Sequence, residues 1–440
     1  MANGNFGGGD GTLANPYLVE DAQDLTAITK NLSGHYKQTV HIDLAGVEWM
    51  PIGRNDTSSY SRFSGSFDGN GFNIYGLSIN KPTVSYLGLF ACLMPPAVLK
   101  NIHLVSPAVL GKYEIGPLVG SIEQGGYSGA ELPIIDNCSA ADVTVNGSYE
   151  IGGLVGSAYV EANISNCHSS GVVGNKETPG KNVGGLLGSA YNYGVNFDNS
   201  HSSCEAIGRS NVGGFIGYVS PGTGRRVKTT KCYAEGPVYS SGGYCGGFGG
   251  YLSQTDFEQC FATGAVDAPS NEVGGFGGYT SDLNIKDCYA TGSVNGTDNV
   301  GGFIGSANLY NAYTITNSVA FGLVTGTQDT GGFAGSYSGN IDFTSAFYDS
   351  DKTGQTGTTK GTPKTTAELA KKETYVGWDF ENVWSLISGV LQLIFTLPPK
   401  KPEVNVDFTQ TVLLRDGFFS PIPQYWDTVK GEWTVRTIPN

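Results

Sequence analysis

Tyrosines recur at a similar place in a series of short sequence repeats, and they are the residues most suited to binding a ligand. Interleaved with Asn192, Asn308 and Asp282, a stack of these rings would offer flat apolar contacts and hydroxyl groups, which suit sugar rings. The alternative, that the rings only cover a sheet or line an interface between copies, stays open. The predicted glycan-binding tyrosines are Tyr159, Tyr191, Tyr218, Tyr251, Tyr279, Tyr310 and Tyr337.

Carboxylates in neighbouring repeats could instead form the catalytic pair of a polysaccharide-cleaving enzyme. Asp256, Glu258, Asp282 and Asp287 fall in adjacent predicted coils, and Arg225–Arg226 is the only tight basic pair in the repeats, so these residues could form a groove. A solvated outer face explains the same residues equally well, and no nucleophile motif such as G-x-S-x-G accompanies them. We therefore expect no catalytic residue and no enzymatic activity, with a polysaccharide depolymerase as the alternative.

Cysteines and histidines also recur at fixed places. The cysteines, with Ser200 and Ser318 at the same place in two repeats, lack CxxC spacing and are typical of small side chains in a tight interior. The histidines lack HExxH and a nearby acidic ligand, so we expect no metal site and no cofactor. The recurring cysteines are Cys138, Cys167, Cys232, Cys260 and Cys288, and the histidines that follow the same turn are His103, His168 and His201.

Charge and composition restrict the partners. The chain has 440 residues, 66 of them glycine, and a formal net charge of −14, which opposes binding to nucleic acid or anionic lipid. The start of the chain lacks the basic and apolar regions of a signal peptide, and the stretch Trp384–Leu397 is too short and too interrupted to span a bilayer. We expect no nucleic acid partner, no membrane insertion and no signal peptide in this chain.

A hexapeptide of the type VGGFIG repeats along the chain, as at Val212–Gly217 and Val300–Gly305. The residues before its Leu or Phe, from Gly88 to Gly332, are separated by 29, 36, 32, 29, 33, 28, 27 and 30 residues. Short alternating apolar and polar runs between the hexapeptides indicate strands of a few residues. Such a unit cannot bury an apolar face alone, but stacked copies can, with their Leu and Phe as an inward ladder. The sequence therefore predicts an all-β fold, a right-handed parallel β-solenoid (β-helix) with end caps and a small C-terminal β-rich appendage.

The hexapeptide resembles the GLUG motif, a repeat of bacterial surface and secreted proteins and of some phage proteins. The resemblance covers about residues 9–396 and implies an architecture but no catalytic signature. It implies capping coils over 1–85, solenoid repeats over 86–350 and a capping segment over 351–397. Within that segment Thr365–Glu368 is typical of a helix capping box, and we expect Trp378, Phe380 and Trp384 to plug the last coil.

Residues 398–440 do not fit the repeat, and we expect a linker followed by an attachment or oligomerisation appendage. The predicted partners are other virion or cell-surface proteins, further copies of this chain, and host glycans. The predicted interface residues are Phe418, Phe419, Tyr425, Trp426 and Trp433.

Together these features predict a structural and adhesive solenoid on a virion or an extracellular surface. Because no signal peptide is found, we expect a phage fibre, spike or head-decoration protein that contacts host glycans. A bacterial surface adhesin and a tailspike-like depolymerase are the alternatives.

Overall fold

The structure is a computed structural model of the chain. It describes residues 5–54, 61–126, 129–308, 314–339, 341, 343, 345–358 and 360–397, and four short strands within 412–435. The chain forms two compact units, residues 1–394 and 395–440.

The first unit is a parallel β-solenoid, as predicted. Each strand pairs in parallel with the equivalent strand of the next coil, so that Tyr218 lies opposite Tyr251, and Tyr251 opposite Tyr279. Nearly all of its strands are parallel, helices make up about 6% of the chain, and there are about ten turns. Stacking therefore converts each recurring residue of the sequence into a column along the solenoid.

Eighteen strands form the first sheet, called sheet A. They are Tyr17–Val19, His35–Gln38, Ser66–Asp68, Phe90–Leu93, Val98–Lys100, Val119–Ile122, Ile134–Asp136, Val155–Ala158, Ala162–Ser165, Leu187–Asn192, Val195–Asp198, Ile216–Pro221, Val227–Thr230, Gly249–Glu258, Gly277–Lys286, Ile304–Asn308, Thr314–Thr316 and Ala334–Ser338.

Twenty-six strands form the second sheet, called sheet B. They are Ile42–Asp43, Asn73–Tyr75, Ser78–Asn80, His103–Val105, Ala108–Leu110, Tyr113–Ile115, Ser139–Asn146, Tyr149–Gly152, His168–Val173, Gly180–Gly184, His201–Ser202, Glu205–Gly213, Tyr233–Ala234, Val238–Ser240, Cys245–Gly246, Phe261–Ala262, Val266–Asp267, Asn271–Gly274, Tyr289–Ala290, Val294–Asn295, Asp298–Gly301, Ser318–Ala320, Val324–Thr325, Thr330–Gly331, Ala346–Asp349 and Thr362–Lys364.

The interior lies between the two sheets and is built from the hexapeptide side chains. Leu118, Leu154 and Leu186 are fully buried, and the following coils carry phenylalanine at the same place. From Phe215 to Phe333 the rings stack at centroid distances of 4.7 to 4.8 Å. The inward ladder predicted from the hexapeptide is therefore present, and stacking adds to the burial of each ring.

The N-terminal end is covered by a helix, Ala22–Ala27, which continues as a 3-10 helix, Ile28–Lys30. Asp21 caps the helix by accepting a hydrogen bond from the backbone N–H of Asp24. Leu25 and Ile28 are fully buried. These apolar side chains cover the interior at the first coils, where a neighbouring coil is missing.

The C-terminal end contains two helices, Ser350–Thr353 and Thr366–Leu369, and two 3-10 helices, Lys372–Thr374 and Ile394–Thr396. Thr365 and Glu368 form the predicted capping box. An antiparallel hairpin, Trp384–Ile387 with Val390–Leu393, follows.

Trp378 and Trp384 do not plug the last coil but pack on the outer side of sheet B. Trp378 stacks on Phe347 with a centroid distance of 5.7 Å, and the indole N–H of Trp384 donates to Asp287, two coils before the end. Val319 lies in the outer column between Tyr289 and Phe347. Its small side chain leaves room for the two indoles to cover this column.

The second unit contains two antiparallel strand pairs among its described residues. Val412–Leu413 pairs with Phe419–Ser420, and Gln424–Asp427 pairs with Glu432–Val435.

Candidate functional site

The hexapeptide turns the chain from sheet B into sheet A. In Val212–Gly217 the first two residues end a strand of sheet B and the last two begin a strand of sheet A. At Gly185 this corner has no room for a side chain, because a Cβ there would lie 2.0 Å from the carbonyl oxygen of Gly214 in the next coil. The corner thus fixes where the outward residues of sheet A begin.

The residue before each hexapeptide has a left-handed backbone conformation, although none is glycine. Its φ lies between +38° and +62° in nine successive coils, and we call these residues the left-handed row. Such a conformation is rare for residues other than glycine, especially tyrosine, and its recurrence shows that the stacked coils impose it. The row comprises Tyr86, Glu114, Glu150, Asn182, Asn211, Tyr244, Glu272, Asn299 and Asp329.

Five of the predicted tyrosines form one continuous series of ring contacts on the outer face of sheet A, and we call them the tyrosine ladder. Successive ring centroids lie 5.1, 5.3, 4.8 and 4.9 Å apart. All five side chains are half-buried. The ladder consists of Tyr159, Tyr191, Tyr218, Tyr251 and Tyr279.

The ladder does not occupy a single column of the sheet. Tyr218 lies opposite Ser189, whereas Tyr191 lies opposite Ser220, two residues further along the strand. Side chains two residues apart on a strand point to the same face. The rings of both columns therefore meet, and Tyr191 and Tyr218 are tilted by 41° where the columns change.

Two of the predicted tyrosines are not part of the ladder as described. Tyr337 lies opposite Ala307, in a column between those of the ladder, and its ring contacts Phe343 at 5.3 Å. It is 38% exposed, and among the described strands its own strand, Ala334–Ser338, pairs with the strand before it and with no later one. Tyr310 lies outside the described residues.

The first two tyrosines of the ladder are hydrogen-bonded to the left-handed row. The hydroxyl of Tyr159 donates to Glu114 at 3.1 Å, and that of Tyr191 donates to Glu150 at 3.0 Å. The Asn182 side chain donates to the Tyr191 hydroxyl at 2.9 Å. We call Tyr159 and Tyr191 the paired half of the ladder.

Burial perturbs the carboxyl groups of this paired half. Desolvation, with the nearby negative charge of Glu150 as the next cause, raises the pKa of Glu114 to about 7. Desolvation also raises the pKa of Glu150, against the hydrogen bonds from Tyr191 and Asn182. Glu114 is thus partly protonated near neutral pH.

The last three tyrosines of the ladder, Tyr218, Tyr251 and Tyr279, differ from the paired half. Within the part of the chain that the structure describes, their hydroxyl groups have no hydrogen-bond partner. Tyr244 of the left-handed row places its ring edge-on to Tyr251 and Tyr279, at centroid distances of 5.8 and 5.4 Å. We call Tyr218, Tyr251 and Tyr279 the unpaired half.

The ring faces of the ladder are mostly covered by neighbouring rings. Tyr218, Tyr251 and Tyr279 stack with interplanar angles of 23° and 15°. Flat stacking of a sugar on each ring, as the sequence suggested, is therefore not available along the ladder. The ladder offers ring edges and a row of hydroxyl groups instead.

The carboxylates that suggested an enzyme are bound to cations. Arg226 contacts Asp256 at 2.7 Å and Asp282 at 3.0 Å, and thereby bridges two coils. Asp256 also accepts a hydrogen bond from Asn284 at 2.7 Å. Lys286 contacts Glu258 at 2.7 Å. These pairs explain the acidic residues as part of a hydrogen-bonded outer face.

The recurring cysteines lie in the interior. All eight cysteines of the chain are free and buried. Burial raises the pKa of Cys204 to about 11 and those of Cys138, Cys232, Cys260 and Cys288 as well. Thiols in this environment are poor ligands and nucleophiles. No group of three metal-ligating side chains occurs among the described residues.

Sequence reasoning missed a second aromatic column on the outer side of sheet B. It runs from His168 and His201, whose rings stack at 5.1 Å, through Tyr233 and Phe261 to Tyr289. Burial lowers the pKa of His201 to about 4, so this imidazole is neutral at pH 7. The column could have been predicted from the residue directly after each recurring cysteine position. Only the histidines of this column were considered from the sequence, as possible metal ligands.

The appendage residues are placed by their strands. Phe419 begins the strand Phe419–Ser420, and Tyr425 and Trp426 lie in Gln424–Asp427. Trp433 lies opposite Trp426 in the antiparallel pair. Phe418 lies outside the described residues.

Comparison with known proteins identifies the repeat. Residues 270–295, which contain the VGGFGG hexapeptide and the following strands, match the family model described as the GLUG motif. These residues are a GLUG motif. The motif lies within the stacked coils of sheets A and B, as the hexapeptide indicated.

Two curated relatives match part of the chain. One, named "Putative Gly-rich membrane protein", from Evansella cellulosilytica, is 34% identical over 143 residues, which are 30% of this chain and 15% of that protein. The other, named "Halomucin", from Haloquadratum walsbyi, is 34% identical over 119 residues, 26% of this chain and 1% of that protein. The chain therefore spans a small part of the length of either relative.

A solved structure shares the fold. The crystal structure of a "putative immunoglobulin A1 protease" from Bacteroides ovatus superposes with a TM-score of 0.51 and covers 90% of this chain and 98% of its own. The sequences are 17% identical, so the likeness concerns the fold alone.

Among the described residues, no helix has the length and apolar character needed to cross a membrane.

Proposed function

We propose that this protein is a non-enzymatic adhesive solenoid, displayed on an extracellular surface, that binds glycans through the unpaired half of the tyrosine ladder. The observation that carries the proposal is the row of three hydroxyl groups without partners on half-buried rings. None of the three hydroxyls is among the buried unpaired polar atoms of the described residues, so each is open to solvent and can exchange water for a hydrogen bond to a ligand. A stack of equivalent hydroxyls at the coil spacing suits a linear polysaccharide, whose polar groups also recur along its length.

The surroundings of the unpaired half support this contact. Tyr244 widens the aromatic surface by its edge-on contacts with Tyr251 and Tyr279. Tyr rings combine apolar area with a polar hydroxyl group and lose little conformational entropy on binding. Display on a surface is supported by the name of the glycine-rich membrane protein that the chain resembles.

The absence of catalysis is supported by the ion pairs of Asp256 and Asp282. A glycosidase needs one carboxyl group as an acid and a second as a base or nucleophile, both facing the same sugar. Here Arg226 joins the two carboxylates of neighbouring coils. We expect purified protein to release no new reducing ends from capsular polysaccharide or lipopolysaccharide, and release that the Asp256→Asn variant abolishes would make the protein a depolymerase.

The binding test is a glycan array probed with wild-type protein and with the triple variant Tyr218→Phe, Tyr251→Phe, Tyr279→Phe. We expect a set of linear glycans to bind wild type and to lose at least tenfold in affinity with the triple variant. The control is Tyr337→Phe, which removes a hydroxyl from an exposed tyrosine outside the ladder and should leave affinity unchanged. Equal loss in both variants, or no glycan binding by wild type, would refute the glycan contact.

The display test separates a virion from a cell envelope. Mass spectrometry of the source culture, divided into cytosol, envelope and purified particles, should find the chain outside the cytosol. A fixed ratio to capsid protein in particles would make it a virion component, with the appendage as its attachment element. Enrichment in the envelope would make it a cell-surface adhesin, and retention in the cytosol would contradict display altogether.

A further inference from the structure

A groove of about 480 Å³ runs along the outer side of sheet B. Its lining includes Pro82, Leu110, Asn146, Tyr149 and Arg209, from four of the coils that it crosses. A groove of this volume has the size of a small-ligand site and could hold a short oligosaccharide.

The rim is a built feature of the coil rather than a gap between strands. Residues 175–179 form a loop between the strands His168–Val173 and Gly180–Gly184. Asn175 accepts hydrogen bonds from the backbone N–H and the hydroxyl of Thr178, and Asn146 of the preceding coil donates to that hydroxyl at 3.2 Å. These bonds fix Thr178 and Pro179, which line the groove.

Cations and tyrosine rings surround the groove. The ring of Tyr149 meets that of Tyr113 at 5.4 Å. The Lys112 ammonium lies 4.6 Å from the Tyr113 centroid, and the Lys181 ammonium lies 5.8 Å from the Tyr149 centroid. Arg209 is exposed on the groove wall. The site thus offers positive charge beside aromatic edges.

These cations lack ion-pair partners. Among the described residues, no carboxylate lies within 4.0 Å of the charged groups of Lys112, Lys181 or Arg209. This is notable in a chain with 39 acidic and 25 basic residues, in which Arg226 and Lys286 each contact two carboxylates. Three unpaired cations within neighbouring coils therefore make a local positive site on an acidic protein.

We propose that this groove binds an acidic oligosaccharide, with the carboxylate of a uronic acid on Arg209 and the sugar ring against Tyr149 and Pro179. Arg209 can bind a carboxylate in a bidentate manner, and Lys112 and Lys181 would add long-range attraction. The hydroxyls of Ser148 and Thr178 and the amide of Asn146 would pair with sugar hydroxyls. Long nucleic acid strands are disfavoured because the overall charge of −14 repels an extended polyanion. The site does not depend on the tyrosine ladder.

The test is isothermal titration of the full chain with tri-galacturonate and with its carboxyl-reduced counterpart, a neutral trisaccharide. We expect the acidic trisaccharide to bind at least tenfold more tightly and its affinity to fall as salt is raised. Arg209→Gln should reduce this affinity by about tenfold or more, as expected for loss of a charge-assisted hydrogen bond. Lys181→Gln should reduce it less.

The matched control is Arg225→Gln. Arg225 also lies over a tyrosine, Tyr193, at 4.8 Å, but far from the groove in register. We expect no change of affinity for tri-galacturonate in this variant. Equal binding of both trisaccharides, or equal loss in the Arg209 and Arg225 variants, would overturn the proposal. Displacement of tri-galacturonate by an equal concentration of inorganic phosphate would also overturn it, because the groove would then recognise the anion and not the sugar.

Discussion

The paired and unpaired halves of the tyrosine ladder have the same residue type, the same face of sheet A and nearly the same ring spacing. They differ in the left-handed row beside them. In the paired half, the hydroxyls of the two tyrosines form hydrogen bonds within the protein, to Glu114, Glu150 and Asn182 of this row.

Further along, Tyr244 stands in the row, and the hydroxyls of the unpaired half are left for a ligand. Identical aromatic columns can thus serve stability in one part of a solenoid and binding in another, and the neighbouring column decides which. Four experiments test whether the two halves differ in this way.

The largest expected effect is on how the free energy of unfolding depends on pH, through Glu114 beside the paired half. Because the folded state raises the pKa of Glu114 from 4.5 to about 7, the folded state holds this proton more tightly than the unfolded state does. Proton binding by Glu114 therefore stabilises the folded state. This contribution to the free energy of unfolding is complete below pH 4.5, and up to about 3 kcal/mol of it is lost as the pH rises through 7. In Glu114→Gln this loss should vanish from the free energy of unfolding, measured with urea from pH 4.5 to 8. The exposed Glu177→Gln should keep the wild-type profile, and a Glu114 variant with that same profile would contradict the assignment.

The second effect separates the halves by stability. Tyr191→Phe removes the hydroxyl that joins Glu150 and Asn182, and leaves buried polar groups short of a partner. We expect a loss of about 1–3 kcal/mol in the free energy of unfolding. Tyr251→Phe removes a hydroxyl without a partner and should change it by less than about 0.5 kcal/mol. Equal losses would mean that the two halves are energetically alike.

The third effect separates them by binding. For a glycan identified on the array, Tyr251→Phe should weaken affinity by about two- to tenfold, the value of one neutral hydrogen bond. Tyr191→Phe should leave affinity unchanged once the protein is shown to be folded at the assay pH. If Tyr191→Phe lost more affinity than Tyr251→Phe, the binding surface would have to be assigned to the paired half.

The smallest effect is expected at Tyr337, outside both halves. Tyr337→Phe should alter neither glycan affinity nor, by more than about 0.5 kcal/mol, the free energy of unfolding. Titration calorimetry and urea unfolding measure both quantities in one preparation. A loss of affinity as large as that of the triple variant would contradict glycan binding by the unpaired half.

The fold could be predicted from the sequence because the hexapeptide recurs and its Leu or Phe has one possible environment, the interior. The ladder could be predicted only in part. Counted from the glycine that precedes the Leu or Phe of the hexapeptide, Tyr191 follows six residues later, Tyr251 four residues later and Tyr337 five residues later. Because faces alternate along a strand, an even difference keeps a ring in the ladder and an odd one removes it. Counting along each strand would have excluded Tyr337.

The split between the halves could not be predicted in the same way. It depends on the left-handed row, where Glu114, Asn211 and Tyr244 share neither charge nor size. Only the turn that places them beside sheet A makes them equivalent. Likewise, the pairing of Asp256 and Asp282 by Arg226 joins residues 30 and 56 positions apart, which no local pattern reveals.

The interior ladder changes from leucine to phenylalanine at Phe215, and this change has a mechanical consequence. In a stack of repeats, each coil is held mainly by its two neighbours. Stacked aromatic pairs add about 0.5–1.5 kcal/mol beyond burial. The interactions between neighbouring coils are therefore stronger from Phe215 to Phe333 than between the leucine coils before them. Pulled from its two ends, the solenoid should unravel first in the coils of Leu118 to Leu186, and the unpaired half of the ladder should keep its shape under a load that has already opened the paired half.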